Sequence, residues 1–330
     1  MNVFIKIFRN LYGPISKSVH ERWALLFPKW YVKYLYKKVT NKKLDLKNPK
    51  DYQEKIQWLK IYSETSQWTN LADKYKVREY ISQCGLSDNL VGLYGVWERA
   101  EDIDFSKLPE KFVLKTNHGF KRVIVVEDKS KLDISKTVKQ LNTWVKERYG
   151  LMSFEPHYWK IERRIIAEEF LEDDSTANIS SSLIDYKFWC GNGEPKTISV
   201  LSNRPNISIG SNVETNPKLM CNEYDLDWNP HPEVLSESSG IGVAENVPKP
   251  NQLDEMLRIC KKLSKPFPFV RIDLYEVNNK VYFGEITFTP GGGMQFYTPE
   301  YSLELGKQID LSKAKLKAKR YFFTKRSSYP

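Results

Sequence analysis

Apolar residues recur at helical spacing over residues 16–44 and 50–62, where Ile56, Leu59 and Ile61 return beside Trp58 and charged positions. Asn48, Pro49, Lys50 and Asp51 between them read as a turn and a helix start. A further helix is expected over 71–84, stopped by Gly85. The period then changes. Residues 111–116 form a short strand pattern, 117–122 a polar turn containing Gly119, and the β-branched run 123–127 a return strand. A helix over 134–149 carries Trp144 and Tyr149. Residues 164–171 begin as a strand, with a loop over 172–180. Residues 185–190 and 197–201 read as two strands around Gly191, Asn192 and Gly193. Residues 203–250 are irregular and rich in Asn, Pro and Ser. A helix over 251–264, a hairpin over 269–287, a glycine-rich loop and a last helix near 301–320 complete the chain. Strands alternating with helices place it in the α/β (α+β) class.

The hairpin carries the chemistry. Arg271, Asp273 and Tyr275 share one face of its first strand, and Phe283, Glu285 and Thr287 one face of its second. A three-residue loop over 278–280 pairs Ile272 with Ile286 and Val270 with Phe288, which makes one clean apolar face. The same register sets Asp273 opposite Glu285 and Arg271 opposite Thr287. Directly opposed carboxylates repel unless a cation lies between them. Two readings follow: the acids are solvated, or hard oxygen ligands on a rigid hairpin hold Mg²⁺, which also takes phosphate oxygens and water. Pro290 and the glycines 291–293 could let backbone approach a ligand and offer N–H groups to an anion.

Composition narrows the class. With 41% hydrophobic, 13% aromatic and 28% charged residues the chain is globular, and 330 residues are ample for a large core divided into lobes. Cys84, Cys190, Cys221 and Cys260 are scattered without metal-ligand spacing, which suggests a reducing compartment. His20, His118, His157 and His231 are equally scattered. The net charge of +10 sits at the ends: residues 1–43 hold ten Lys/Arg and one acid, residues 307–330 eight and one, and the body between is mildly acidic. That distribution argues against a nucleic-acid partner. The N-terminal basic residues are interleaved with Trp23, Phe27, Trp30, Tyr31, Tyr34 and Tyr36. The mixture suits peripheral contact of residues 1–43 with an anionic membrane, and equally a helical layer whose charges are solvated. No secretion signal is evident, and no apolar run approaches the roughly 20 residues that span a bilayer. The expected location is cytoplasmic, at or near the inner face of the membrane.

Arg-Ile-Asp at 271–273, Glu285 and Pro290-Gly291 together resemble the metal-binding end of ATP-grasp ligases such as D-alanine–D-alanine ligase. Six runs occur in order: PKDYQEKIQWLKIY, LADKYKVREY, FVLKTNHG, IAEEFL, DYKFWCGNGEP and VRIDLYEV with YFGEITFTPGGG. Together they resemble the TupA-like ATP-grasp family, named for teichuronopeptide biosynthesis, over residues 45–312. The resemblance implies two α+β lobes gripping ATP behind an N-terminal helical region. The expected divisions are a basic aromatic helical region (1–67), a pre-ATP region with the N-lobe (68–167), a C-lobe with the metal site (168–312) and a basic tail (313–330).

It also implies roles. Lys115 resembles the first phosphate-contacting lysine, and the turn with His118 and Gly119 a flexible phosphate cover. Glu168, Glu169, Phe170 and Leu171 resemble the adenine-binding hinge, with Glu169 toward the ribose. Lys187 has the parity to face the nucleotide. Asp273 and Glu285 match the metal-binding acids, and Thr287 stands where the family usually has Asn. Arg204 and Arg271 are candidates for neutralising the transferring phosphoryl group. The implied cofactors are ATP and Mg²⁺, and the implied reaction joins a carboxylate to an amine through an acyl-phosphate. The substrates would be a glycan or uronic acid and an amino acid, in cell-surface polysaccharide synthesis. A phosphotransferase would use the same ATP half. A glycosyltransferase would draw on Asp225-Leu226-Asp227, and a non-catalytic scaffold would keep only a degenerate site.

Overall fold

The structure, a computed structural model, describes residues 17–172, 180, 182–203, 219–235, 242–243, 247–294 and 297–318. Five helices lead: α1 (Lys17–Leu26), α2 (Pro28–Thr40), α3 (Tyr52–Tyr62), α4 (Ser66–Ala72) and α5 (Val77–Gln83). A small lobe follows with β1 (Leu93–Trp97), β2 (Phe112–Thr116), β3 (Val123–Val126), α6 (Ile134–Val145) and β4 (Ile165–Glu169). A larger lobe holds β5 (Asp185–Gly191), β6 (Glu194–Ser202), β7 (Met220–Tyr224), β8 (Gly242–Val243), α7 (Leu253–Ser264), β9 (Phe269–Val277), β10 (Lys280–Thr287) and α8 (Pro299–Lys307). The class is mixed α+β, as expected.

Two of the expected helices are each divided. Pro28 opens α2 because it lacks an N–H and restricts Phe27 before it, so the stretch 16–44 becomes two helices. The stretch 71–84 breaks at Asp73, whose carboxylate accepts from the N–H of Tyr75 (2.8 Å) and of Lys76 (3.2 Å) and restarts the chain as α5. The helices expected over 134–149 and 301–320 end earlier, at Val145 and Lys307. β1, β7 and β8 lack a clear alternation and come from the structure alone.

The small sheet runs β1-β4-β2-β3, antiparallel throughout. Its inner face buries Phe112, Leu114, Ile124, Ile165 and Ala167 against Leu141 and Trp144 of α6. The large sheet runs β10-β9-β5-β6-β7-β8, antiparallel except for the parallel pair β7-β8. Ile198, Val200, Ile272 and Leu274 share a core with Met256, Ile259, Cys260 and Leu263 of α7. Tyr52, Ile56 and Leu59 of α3 belong to that same core, as do Trp68 and Leu71 of α4. Helices α3 and α4 and the large lobe are therefore one packing unit across residue 67.

The hairpin keeps the expected pairs, Asp273 with Glu285, Ile272 with Ile286 and Arg271 with Thr287, but reaches them differently. Its turn has two residues, Asn278 and Asn279, both with positive φ (51° and 60°), the geometry that matches strand twist. Lys280 therefore pairs with Val277, and a bulge at Gly284 supplies the missing offset before Glu285. The bulge also corrects the facing of Phe283, which pairs with Leu274 and joins the apolar core instead of sharing a face with Glu285. Gly284 cannot carry a side chain: a Cβ there would lie 2.9 Å from the Tyr275 ring and 3.0 Å from the Asp273 carbonyl. Gly284→Val should cost about 1–3 kcal/mol and turn Glu285 away from Asp273. Chemical denaturation should show the loss, and nucleotide-induced thermal stabilisation should fall with it; a variant as stable and as responsive as the parent contradicts this account.

Candidate active site

Strand parity and register assemble one polar row on the face of the large sheet opposite α7. Glu285 is the register partner of Asp273, Asp273 of Lys187, Lys187 of Ser199, and Ser199 of Glu223. The five residues lie on five neighbouring strands, β10 to β7, and four of them are buried, with Glu285 partly exposed.

Arg271, two residues from Asp273 and on the same face, folds back onto it. Its Nε and Nη2 donate to Asp273 Oδ1 (2.6 Å) and Oδ2 (2.7 Å), a bidentate pair. The same Nη2 reaches Glu285 Oε1 and Thr287 Oγ1, both at 3.2 Å, and Thr287 donates to Glu285 Oε1 at 3.1 Å. Lys187 makes a close ion pair with Asp273 and a second with Asp185 at 3.1 Å. Burial works to raise the Asp273 carboxyl, and Arg271 and Lys187 pull the other way. The cation between the opposed acids here is thus a guanidinium.

The small lobe contributes from its outer face. Lys115 and Glu168, which share parity across β2 and β4, form a close ion pair. Glu169 points to the opposite side, where its Oε2 accepts from the Gly92 N–H at 3.2 Å. Phe170 and Leu171 follow β4 half-buried, with the Lys111 ammonium 6.0 Å from the Phe170 ring centre. His118 is buried beside the Glu147 carbonyl (3.3 Å), and burial lowers its pKa to about 4, so the ring is neutral near pH 7 and offers phosphate no charge. The base of the turn is anchored: Asn117 bonds the Glu162 carbonyl (2.8 Å) and the Arg164 N–H (2.7 Å).

Sequence reasoning gave no role to Lys74, Asp185 or Glu223. Lys74 joins the lobes, donating to the Gly119 carbonyl at 3.0 Å and lying 3.6 Å from Glu285 Oε2. Its signal was its place in the LADKYKVREY run. Glu223 sits on a strand whose pattern, Met-Cys-Asn-Glu-Tyr, does not alternate. Arg204 lies outside the described residues. Asp225 is a turn residue, its carboxylate accepting from the N–H of Asp227 (3.0 Å) and Asn229 (2.8 Å).

Gly292 and Gly293 form a packing joint. A Cβ on Gly293 would fall 2.5 Å from Ile56 of α3. Gln57 donates to the Gly292 (3.1 Å) and Gly293 (2.9 Å) carbonyls, and buried Lys60 donates to Gly292 (2.8 Å). Among the described residues no group of three or more His, Cys, Asp or Glu is gathered for a metal. Two opposed carboxylates with a hydroxyl beside them suit a hard cation that brings phosphate and water as its other ligands, so Asp273, Glu285 and Thr287 fit Mg²⁺ carried by a nucleotide.

Two α+β lobes, with a lysine on the small sheet and paired acids on the large hairpin, are the arrangement expected of the ATP-grasp class. The family described as TupA-like ATPgrasp matches residues 54–310, and the chain belongs to it. No curated protein matches the sequence. Solved structures similar to it include D-alanine–D-alanine ligase from Bacillus anthracis (12% identity, TM-score 0.43, 75% of this chain and 70% of that one). The enzyme from Helicobacter pylori is another (15%, 0.40, 79% and 68%). Phosphoribosylamine–glycine ligase from Thermotoga maritima is a third (12%, 0.38, 72% and 51%).

Burial raises the Glu223 carboxyl to about 7 against the pull of hydrogen bonds from Ser199 and Tyr297. The folded chain thus holds this proton more tightly than the unfolded one. The associated stability is complete below the ordinary value of 4.5 and is lost as pH rises toward about 7. Glu223→Gln cannot ionise, so its melting temperature relative to the parent should climb between about pH 5 and about pH 8. Thermal denaturation across that range measures it; a constant difference would refute the assignment.

Proposed function

We propose that the protein is a Mg·ATP-dependent carboxylate–amine ligase that joins an amino acid to a uronic acid of a bacterial cell-surface polysaccharide. The observation that carries this reading is the Arg271 guanidinium shared by Asp273 and Glu285 beside Lys187. A carboxylate oxygen of the acid substrate attacks the γ-phosphorus, the bond to ADP breaks, and ADP departs with the electron pair. The amine then attacks the acyl carbon, phosphate leaves with its electron pair, and the nitrogen loses a proton to give the amide. Arg271 and Lys187 stabilise charge on the transferring group, and the pre-set ion network limits reorganisation. Asp273 and Glu285, with Thr287 beside them, would hold Mg²⁺, which screens the phosphates. Lys115 of the small lobe and Lys74 beside it would meet phosphate.

Mg·ATP should raise the melting temperature of the parent, and Asp273→Asn should abolish that rise while lowering ADP release by about 100-fold or more. Screening uronic acids with amino acids, with mass spectrometry of the product, identifies the reaction. An amide supports the ligase, and a phosphorylated glycan refutes it in favour of a phosphotransferase.

The exposed corner between α1 and α2 supports peripheral binding to an anionic bilayer. Leu25, Leu26, Phe27 and Trp30 are 51%, 71%, 57% and 72% exposed, flanked by exposed Arg22, Lys29 and Lys33. Rings at headgroup depth and cations on lipid phosphate suit that surface. Sedimentation with phosphatidylserine vesicles should deplete the parent, whereas Leu26→Asp/Trp30→Glu should remain in the supernatant; equal binding to neutral phosphatidylcholine vesicles would contradict the charge component.

A further inference from the structure

Glu223 ends the polar row two strands beyond Lys187 and three beyond Asp273, on the side away from the small lobe. At the usual strand spacing those steps are about 10 Å and about 14 Å. It is as buried as Asp273, both at 1% exposure. One of its oxygens is fully engaged. The Trp189 indole N–H, which can only donate, gives its proton to Ser199 Oγ at 2.6 Å. The single hydroxyl proton of Ser199 must then go to Glu223 Oε1, at 2.5 Å, and Tyr297 donates to the same oxygen at 3.0 Å. These bonds fix the carboxylate and leave Oε2 buried with no hydrogen-bond partner among the described residues.

A buried acceptor left unmade costs about 1–3 kcal/mol. Here three side chains hold it in that state, so the cost is built in. Trp189 and Tyr297 meet edge to face at 5.5 Å, and Tyr297 and Tyr301 at 5.1 Å, forming an aromatic wall beside the carboxylate. Ionised, as it is above about pH 7, this oriented oxygen is an acceptor that recognises a positively charged group with N–H donors. No ion pair to Glu223 exists among the described residues, while Asp273, Glu285, Asp185 and Glu168 all have one.

We infer that Glu223 Oε2, framed by Ser199, Tyr297 and Trp189, is the subsite that receives the ammonium group of the amine co-substrate. This rests on the ligase reading, and it adds which end of the sheet holds the amine. The acid substrate then lies between Glu223 and the phosphate-facing pair Lys187 and Asp273; the bound ammonium passes one proton to Glu223 Oε2 and, as the neutral amine, approaches the acyl carbon from the side opposite the nucleotide, losing its second proton as the amide forms.

The test is thermal stabilisation of the full chain with Mg²⁺ and a non-hydrolysable ATP analogue, adding the proteinogenic amino acids one at a time beside their N-acetyl derivatives. At least one free amino acid should stabilise the parent, and its acetylated form, which lacks the cation, should not. Glu223→Gln, which keeps an acceptor for Ser199 and Tyr297, should weaken that amino acid by about tenfold or more and leave the nucleotide response unchanged. The subsite is overturned if no free amino acid stabilises the parent, if the acetylated form does so equally, or if the variant keeps the amino-acid response. A parent that fails to respond to the nucleotide overturns the ATP-grasp reading instead, so the two failures are distinguishable.

Discussion

Asp185, Asp273 and Glu285 stand on three neighbouring strands of one largely buried face. Without compensation their charges would repel at close range in a poorly screened setting. Arg271 is what makes the arrangement tenable. It lies on the same strand and face as Asp273, so the guanidinium returns onto that carboxylate through two bonds and still reaches Glu285 and Thr287. Lys187 closes the network from β5. Well-packed apolar residues often match or exceed a buried ion pair in stability. A five-charge cluster on a sheet whose other face is apolar is therefore better explained by use than by stability. Its geometry in turn depends on the bulge at Gly284, because the register set by the turn, continued without that shift, would put Gly284 and not Glu285 opposite Asp273.

That dependence shows what was legible from sequence. Pairing residues whose numbers sum to a constant gives the same partners for a three-residue loop as for a two-residue turn with a later bulge. Hydrophobic matching therefore found Asp273 opposite Glu285 without locating the irregularity that produces it. The fold class was legible because long amphipathic stretches and β-branched runs report burial directly. Helix breaks at Phe27 and Asp73 were not, because a proline restriction and a local carboxylate turn decided them. The facing of Lys115, Lys187, Asp273 and Glu285 was legible because strand parity sets it. The directions of the His118 and Glu169 side chains were not legible, because they depend on partners far along the chain, Glu147 and Gly92.

Glu223 illustrates the deeper limit. Its strand is buried on both faces, so no alternation marks it. Its partners Ser199 and Tyr297 lie 24 and 74 residues away. No local pattern can announce an oxygen whose meaning comes from three strands and a distant tyrosine. The run Pro290–Gly293 fails in the other direction: a conspicuous local signal, suited to a ligand loop, turns out to be the seam between the hairpin and α3.

That seam links the N-terminal helices to the chemistry. Lys60 sits fully buried with its ammonium on the Gly292 carbonyl, the Ser153 carbonyl and Gln57, and burial lowers its pKa to about 8 against the pull of Glu155. Glu155 in turn accepts from Thr289, two residues beyond Thr287. On the other side, Tyr31, Val32, Leu35 and Tyr36 of α2 pack with Ile61 of α3 and with Met294, the residue after the glycines. A displacement of α2 would therefore be felt at Met294 and, through the glycine seam, at Thr287. Packed interiors transmit strain because they contain few voids in which to absorb it. The basic aromatic helices are for that reason part of the catalytic lobe's mechanical frame: whatever surface the α1–α2 corner rests on is joined to the hairpin by direct side-chain packing, without an intervening linker.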